Sequence, residues 1–164
     1  RPAKRSYALG ILRPGLVSYE PSICYMEDSS GSMGQKQLKA NRVEMAHAMK
    51  TLGVFEVWFI SSDAEVHGAP KLITLAELMS IPVTGRGGTD FGPAIEAMMR
   101  IRPVPDIGIY STDGDGWAPE YPPRNVEFIW LLAPGPWTRS PCNWGTQILT
   151  TDDPVERKKY QLLV

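Results

Sequence analysis

Three polar loops hold the residues able to do chemistry. Asp28-Ser29-Ser30-Gly31-Ser32 follows a short apolar run, Gly87-Gly88-Thr89-Asp90 precedes a helical run, and Ser111-Thr112-Asp113-Gly114-Asp115-Gly116 follows another apolar run. Their side chains are carboxylates and hydroxyls, with no sulfur or imidazole among them. Hard oxygen donors of this kind suit Mg2+, Mn2+ or Ca2+ and do not suit zinc or copper. Alternation from a strand end lets Asp28, Ser30 and Ser32 face one point, with Gly31 relieving the bend. The same residues also suit an Asx-turn and the N-cap of a helix starting near Gln35. Thr89 and Asp90 both suit the N-cap of the helix from Phe91; Asp90 is read as the cap and Thr89 as the ligand. Asp115 is either a hydrogen-bonding support around the cation or a turn residue. Glu27, one position before Asp28, should point to the opposite face of its strand. The Gly85 to Gly88 run lacks the Lys-Ser/Thr of a phosphate-binding loop, so it is read as a mobile connection beside the metal.

The elements that must position these loops alternate between strand and helix. Ser22 to Glu27, Val54 to Ser61, Asp106 to Ser111 and Val126 to Leu132 are short, apolar and rich in β-branched or aromatic residues, which predicts buried strands. Ala64 to His67 is expected to pair with the second of them, and Gln147 to Leu149 to form a last strand. Gln35 to Leu52 is free of Gly and Pro, with Leu38, Met45, Met49 and Leu52 at helical spacing, and Gly53 stops it. Thr74 with Glu77 forms a capping box for a short helix to Ser80. Phe91 to Ile101 is helical and ends before Pro103. The expected fold is α/β: a three-layer sandwich with a mostly parallel central sheet and helices on both faces. Residues 1–19, with Arg1, Lys4, Arg5 and Arg13, read as a basic arm or linker remnant, 20–150 as the domain, and 151–164 as a short packed helix. In such a sheet the loops at the carboxyl ends of neighbouring strands meet where the strand order reverses, so the three polar loops are expected to share one crevice.

Composition excludes several classes. The 164 residues carry 17 Lys and Arg against 18 Asp and Glu, a net charge of −1, which gives no broad footprint for nucleic acid. Two cysteines, Cys24 and Cys142, make neither a disulfide framework nor a four-thiolate zinc site. A reducing, cytoplasmic setting is the expectation. No apolar run approaches the roughly 20 residues that span a bilayer. The chain opens on Arg1 without a leader, so it is expected to be an excerpt of a longer protein. The 15 glycines and 15 prolines exceed ordinary usage of about 7% and 5%; with five Trp, that favours a compact fold with long loops over disorder. Cys24 and His47 are read as core and solvated-helix residues. Trp117, Trp137 and Trp144 fall in Pro/Gly-rich loops, where packing and contact roles compete.

Asp28-x-Ser30-x-Ser32, followed by Thr89 and then by Asp113 after a later strand, resembles the metal-ion-dependent adhesion site of von Willebrand factor A (VWA) domains. The resemblance covers residues 20 to 150. Gly87-Gly-Thr-Asp-Phe-Gly-Pro93, Thr112-Asp-Gly114 with Pro119, Ile129-Trp-Leu131 and Asn143-Trp-Gly-Thr146 further resemble the C-terminal VWA-like domain of bacterial and phage metallopeptidase-like proteins. This chain has no H-E-x-x-H, so the peptidase half of such a protein is absent from it. The resemblance implies that Ser30 and Ser32 bind a divalent cation directly, that Asp28 and Thr89 bind it directly or through water, and that Asp113 acts through a bound water. One coordination position stays open to a partner's Asp or Glu. Asp90 and Asp115 would support or cap, and Trp117 and Arg86 would stand at the rim.

The leading expectation is therefore a non-enzymatic, Mg2+-dependent (or Mn2+- or Ca2+-dependent) protein-binding module. Its partner would be a protein ligand, including another domain of the same full-length protein, with no role for nucleic acid or membrane. Two rivals differ in kind. A Mg2+-dependent phosphatase of the haloacid-dehalogenase type would use Asp28 as nucleophile, but it needs a second acid where Ser30 stands. A metal-free structural domain would dock instead onto the missing metallopeptidase-like region.

Overall fold

Alternate residues of β1 (Ile23–Asp28) enter two different apolar clusters: Ile23 and Tyr25 join one, Cys24 and Met26 the other. All six residues of the strand are buried, which places it in the middle of a sheet covered on both faces. Its neighbours are β2 (Glu56–Ser62) and β4 (Ile107–Thr112), both parallel to it. β5 (Glu127–Leu132) and β6 (Thr146–Leu149) continue the parallel series beyond β4. β3 (Lys71–Thr74) runs antiparallel at the other edge, giving the order β3-β2-β1-β4-β5-β6. These elements belong to a computed structural model that describes residues 20–82, 87–136 and 138–150. The arm 1–19, Arg86, Trp137 and the segment 151–164, with its expected C-terminal helix, lie outside the described residues.

Helices cover both faces. α1 (Gln35–Leu52) buries Leu38, Met45 and Met49; Leu52, at the same spacing, is half exposed. Gly53 ends the helix in the left-handed conformation, φ 69°, which a residue without a side chain adopts at no steric cost. α2 (Leu75–Ser80) begins with Thr74, whose Oγ1 accepts the Glu77 N–H while Glu77 Oε2 accepts the Thr74 N–H. Met45 and Met49 of α1 and Leu78 of α2 pack with Ile23, Tyr25, Phe59 and Ile109 on one face. α3 (Gly92–Arg100) packs Ala94, Ile95 and Met98 on the other, with Cys24, Met26, Tyr110 and Trp130. The result is the expected three-layer α/β sandwich with a mostly parallel sheet.

The connections from β4 to β5 and from β5 to β6 hold no helix among the described residues. Aromatic rings cover the sheet there instead. Trp130, fully buried, stands 5.0 to 5.5 Å between centroids from Phe91, Tyr110, Phe128 and Trp144, and its Nε1 donates to the Trp144 carbonyl. Trp144 thus packs under a loop, and its own Nε1 donates to the Pro119 carbonyl.

Two local expectations are corrected. Ala64 to His67 is no strand: it makes only the isolated bridge Ser62 to Val66, and β2 pairs with Lys71–Thr74 instead. The N-cap of α3 is Phe91, without a side-chain cap, and Pro93 lies in the first turn, where its missing N–H is not needed. Asp90 serves that turn from outside, its Oδ1 accepting the Gly92 N–H at 2.9 Å.

Candidate metal centre

β1, β2 and β4 are parallel and in close register, so their carboxyl ends form one shelf. Asp28 lies level with Ser62, and Glu27 level with Ser111. The strand order reverses between β1 and β4, and that is where Asp28, Thr112 and Asp113 meet.

Asp28 is fully buried. Its Oδ1 accepts the Ser30 N–H at 2.8 Å, an Asx-turn, and its Oδ2 accepts the Thr112 hydroxyl at 2.6 Å. The expected N-cap role is absent, because Gly34 caps α1. Ser30 and Ser32 stand together, their hydroxyl oxygens 3.1 Å apart. Asp113, also buried, accepts the Asp115 N–H through Oδ1 at 3.0 Å, while Oδ2 has no hydrogen-bond partner among the described residues. Burial pushes the Asp28 carboxyl above its ordinary range; the Thr112 and Ser30 hydrogen bonds pull it back, and the charge of Asp113 adds to the rise. Negative charge is concentrated here. The Tyr110 hydroxyl, bonded to Ser62 Oγ at 2.8 Å, is held un-ionised by burial first, then by Asp28, Asp90 and Asp63.

The loop with Thr89 is bound to the first loop through its backbone. Gly31 N–H donates to the Gly87 carbonyl at 3.3 Å. On the other side Trp117 N–H donates to the Thr89 carbonyl and Phe91 N–H to the Trp117 carbonyl, so the segment with exposed Trp117 runs beside Thr89. Asp115 turns outward to pair with Arg139. Of the expected residues, Asp28 bonds the Ser30 N–H and lies within reach of the Asp113 charge, Ser30 and Ser32 pair, Thr89 is tied in through its backbone, Asp90 bonds the Gly92 N–H, Asp115 pairs with Arg139, and Trp117 is exposed beside Thr89. Among the described residues no three His, Cys, Asp or Glu side chains gather in a metal-binding group. The candidate set has two carboxylates, and hydroxyls make up the rest.

Sequence reasoning did not find several supporting residues. Thr112 links Asp28 to Gly114, whose N–H it accepts at 3.0 Å. Asp63, at the end of β2, accepts the Gly87 N–H. Arg42 of α1 forms a two-pronged ion pair with Glu27 on the opposite face, at 2.7 and 2.6 Å. Position at a strand end could have pointed to Asp63 and Thr112; nothing in local spacing pairs Arg42 with Glu27.

No helix among the described residues is long and apolar enough to cross a membrane. No curated protein matches the chain in sequence. The crystal structure of the conserved hypothetical protein BatB from Bacteroides thetaiotaomicron superposes with a TM-score of 0.58 at 14% identity, over 87% of this chain and 96% of that one. An aerotolerance-related membrane protein from Bacteroides fragilis NCTC 9343 gives 0.48 at 17%, over 69% and 67%. At 14% identity the likeness to BatB is one of fold alone. Residues 23–151 match the family described as VWA-like domain (DUF2201), and because that stretch is most of the 164 residues, the chain belongs to this family of VWA-like domains.

Proposed function

We propose that this chain is a non-enzymatic protein-binding module whose site holds a divalent cation, Mg2+ or alternatively Mn2+ or Ca2+. The observation that carries the reading is Asp113 Oδ2, a buried carboxylate oxygen without a hydrogen-bond partner among the described residues, close enough to the buried Asp28 for their charges to repel. A buried, unsatisfied carboxylate is costly by several kcal/mol unless a cation or donor meets it. The hydroxyls of Ser30, Ser32 and Thr89 supply neutral donors, while Asp28 and Asp113 supply charge. Bound there, a hard cation offers one coordination position to an Asp or Glu of the partner.

The surrounding chain keeps the donors in place. Ser30 N–H and Thr112 Oγ1 orient Asp28, and Asp115 N–H orients Asp113. Ser30 stands where the phosphatase scheme needs a second acid, which favours binding over hydrolysis. The unsatisfied Asp113 oxygen favours the cation over a metal-free docking domain. The resemblance of its motifs to those of metallopeptidase-like proteins makes another domain of the same full-length protein, in the cytoplasm, a fitting source of the acidic ligand.

The test is the cation dependence of thermal stability in wild type, Asp28→Ala and Asp113→Ala. A ligand that binds only the folded state stabilises it by about 2.7 kcal/mol at one hundred times its Kd. Millimolar Mg2+ or Mn2+ is expected to raise the wild-type melting temperature and leave both variants unmoved. If neither ion nor Ca2+ shifts the wild type, the cation reading is wrong.

A further inference from the structure

Asp63 follows β2 and is almost wholly buried, 8% exposed. Its Oδ2 accepts the Gly87 N–H at 3.0 Å, and its main-chain carbonyl accepts the Asp90 N–H at 3.2 Å. One residue thus grips the loop on both sides of Thr89, two positions before it and one after. The grip is braced from below: Asp63 Oδ1 accepts the Glu65 N–H at 3.1 Å, and His67 Nε2 stands 3.2 Å from Oδ2. The residue before it, Ser62, lies level with Asp28 in the sheet, and its carbonyl accepts the Ser29 N–H at 2.8 Å. The end of β2 therefore holds the Asp28 loop with one residue and the Thr89 loop with the next. Gly87 completes the arrangement: its carbonyl accepts the Gly31 N–H, and a Cβ at position 87 would stand 2.9 Å from Asp63 Oδ2, so a side chain there would push the carboxylate off its donor.

We infer that Asp63 is the positioning residue that sets Thr89 against the Asp28-to-Ser32 loop, acting through its hydrogen bond to Gly87. The inference rests on the reading of Thr89 as a cation ligand. Residues that orient ligands, without touching the ion, typically change metal affinity by about 10- to 100-fold when removed.

Two readouts test it, Mn2+ affinity by calorimetry and hydrogen exchange of residues 87 to 90 in metal-free protein. Asp63→Ala should weaken Mn2+ by about tenfold or more and speed exchange at 87 to 90. Asp63→Asn, whose single amide oxygen can accept the Gly87 N–H only by turning its NH2 toward the Glu65 N–H, should lose less Mn2+ affinity than Asp63→Ala; a greater loss would overturn the hydrogen-bond mechanism. Gly87→Ala should weaken Mn2+ in the same direction as Asp63→Ala, and the double variant should be no worse than Asp63→Ala, because the Gly87 bond is already lost there while the Glu65 and His67 contacts go with Asp63 alone. Additive losses, or wild-type affinity in Asp63→Ala, would overturn the inference. A wild type that takes up no Mn2+ would sink the cation reading itself, and the exchange rates would then decide alone whether Asp63 holds the loop.

Discussion

Thr112 Oγ1 donates to Asp28 Oδ2 at 2.6 Å across 84 residues of sequence, and the same oxygen accepts the Gly114 N–H at 3.0 Å. One hydroxyl therefore joins the tips of β1 and β4 and sets the start of the Asp113 loop. Thr112→Val keeps the shape but strands a buried carboxylate oxygen and a buried N–H. It should lower unfolding stability by about 1–3 kcal/mol and weaken cation uptake, whereas Thr112→Ser should restore most of both. Urea denaturation of the three proteins checks this; an unchanged midpoint in Thr112→Val would show that the bond contributes nothing net.

On the other side of the same strand, Glu27 is buried and held by Arg42 through two bonds, while Arg42 also donates to the Ile81 carbonyl at 2.6 Å. Burial disfavours the charged guanidinium, but the Glu27 bonds and charge outweigh it and raise the Arg42 pKa. Arg42→Met alone leaves an unpaired buried carboxylate and should cost about 3–5 kcal/mol. Glu27→Leu with Arg42→Met should recover a large part of that loss, since an apolar pair of similar volume often replaces a buried ion pair without penalty. If the double variant recovers nothing over Arg42→Met, the loss stems from the Ile81 contact, which both variants lack, and not from the stranded charge.

The residues that can be read from local spacing are the ones the sequence places correctly. Gly53 stops α1, Thr74 with Glu77 starts α2, and apolar runs become β1, β4 and β5, because each signal lies within a few residues of the element it governs. β3 escapes for a physical reason: four residues, Lys71–Thr74, of which only Ile73 is buried, carry little apolar pattern and run straight into the cap of α2. Val66 sits in a more strand-like alternation, but the chain bends there after a single bridge. The aspartates and serines of the candidate site are chosen by type and order alone. Thr112 and Asp63 are not legible in that way, because their roles depend on register between strands distant in sequence. Arg42 depends on how far α1 lies over β1, which spacing does not encode.

Cys24 lies at the centre of the α3 face with no exposure, and burial pushes its thiol from an ordinary 9.0 up to about 12. The folded protein therefore keeps this proton after the unfolded chain has lost it. Between about pH 9 and 12 the unfolded state binds fewer protons, so this group's contribution to stability is complete below pH 9 and falls as pH rises. Relative to Cys24→Ala, the wild type should lose stability on going from pH 8 to 10. Iodoacetamide at pH 8 should leave Cys24 unmodified in the native protein and react slowly at half-buried Cys142, whose thiol donates to the Trp144 carbonyl at 3.3 Å and whose pKa burial also raises. Rapid native alkylation of Cys24 would contradict its place in the core.

Gly114 is the point where the β5–β6 connection rests on the candidate site. Its φ is 84°, and a Cβ there would lie 1.9 Å from the Arg139 carbonyl oxygen, while Arg139 N–H donates to the Asp113 carbonyl at 3.0 Å. Neither obstacle is a flexible side chain that can move aside; both are backbone. Gly114→Ala combines left-handed strain with a main-chain clash and should cost about 2–4 kcal/mol, and it should loosen Arg139 from Asp113 and so weaken cation uptake. Gly88 offers the control within the Thr89 loop, because a Cβ there meets nothing within 4 Å among the described residues; Gly88→Ala should stay within about 0.5 kcal/mol of wild type. Thermal melts of the two variants decide the matter. If Gly114→Ala melts together with Gly88→Ala, the 139 segment gives way freely, and the connection after β5 is no structural support for Asp113.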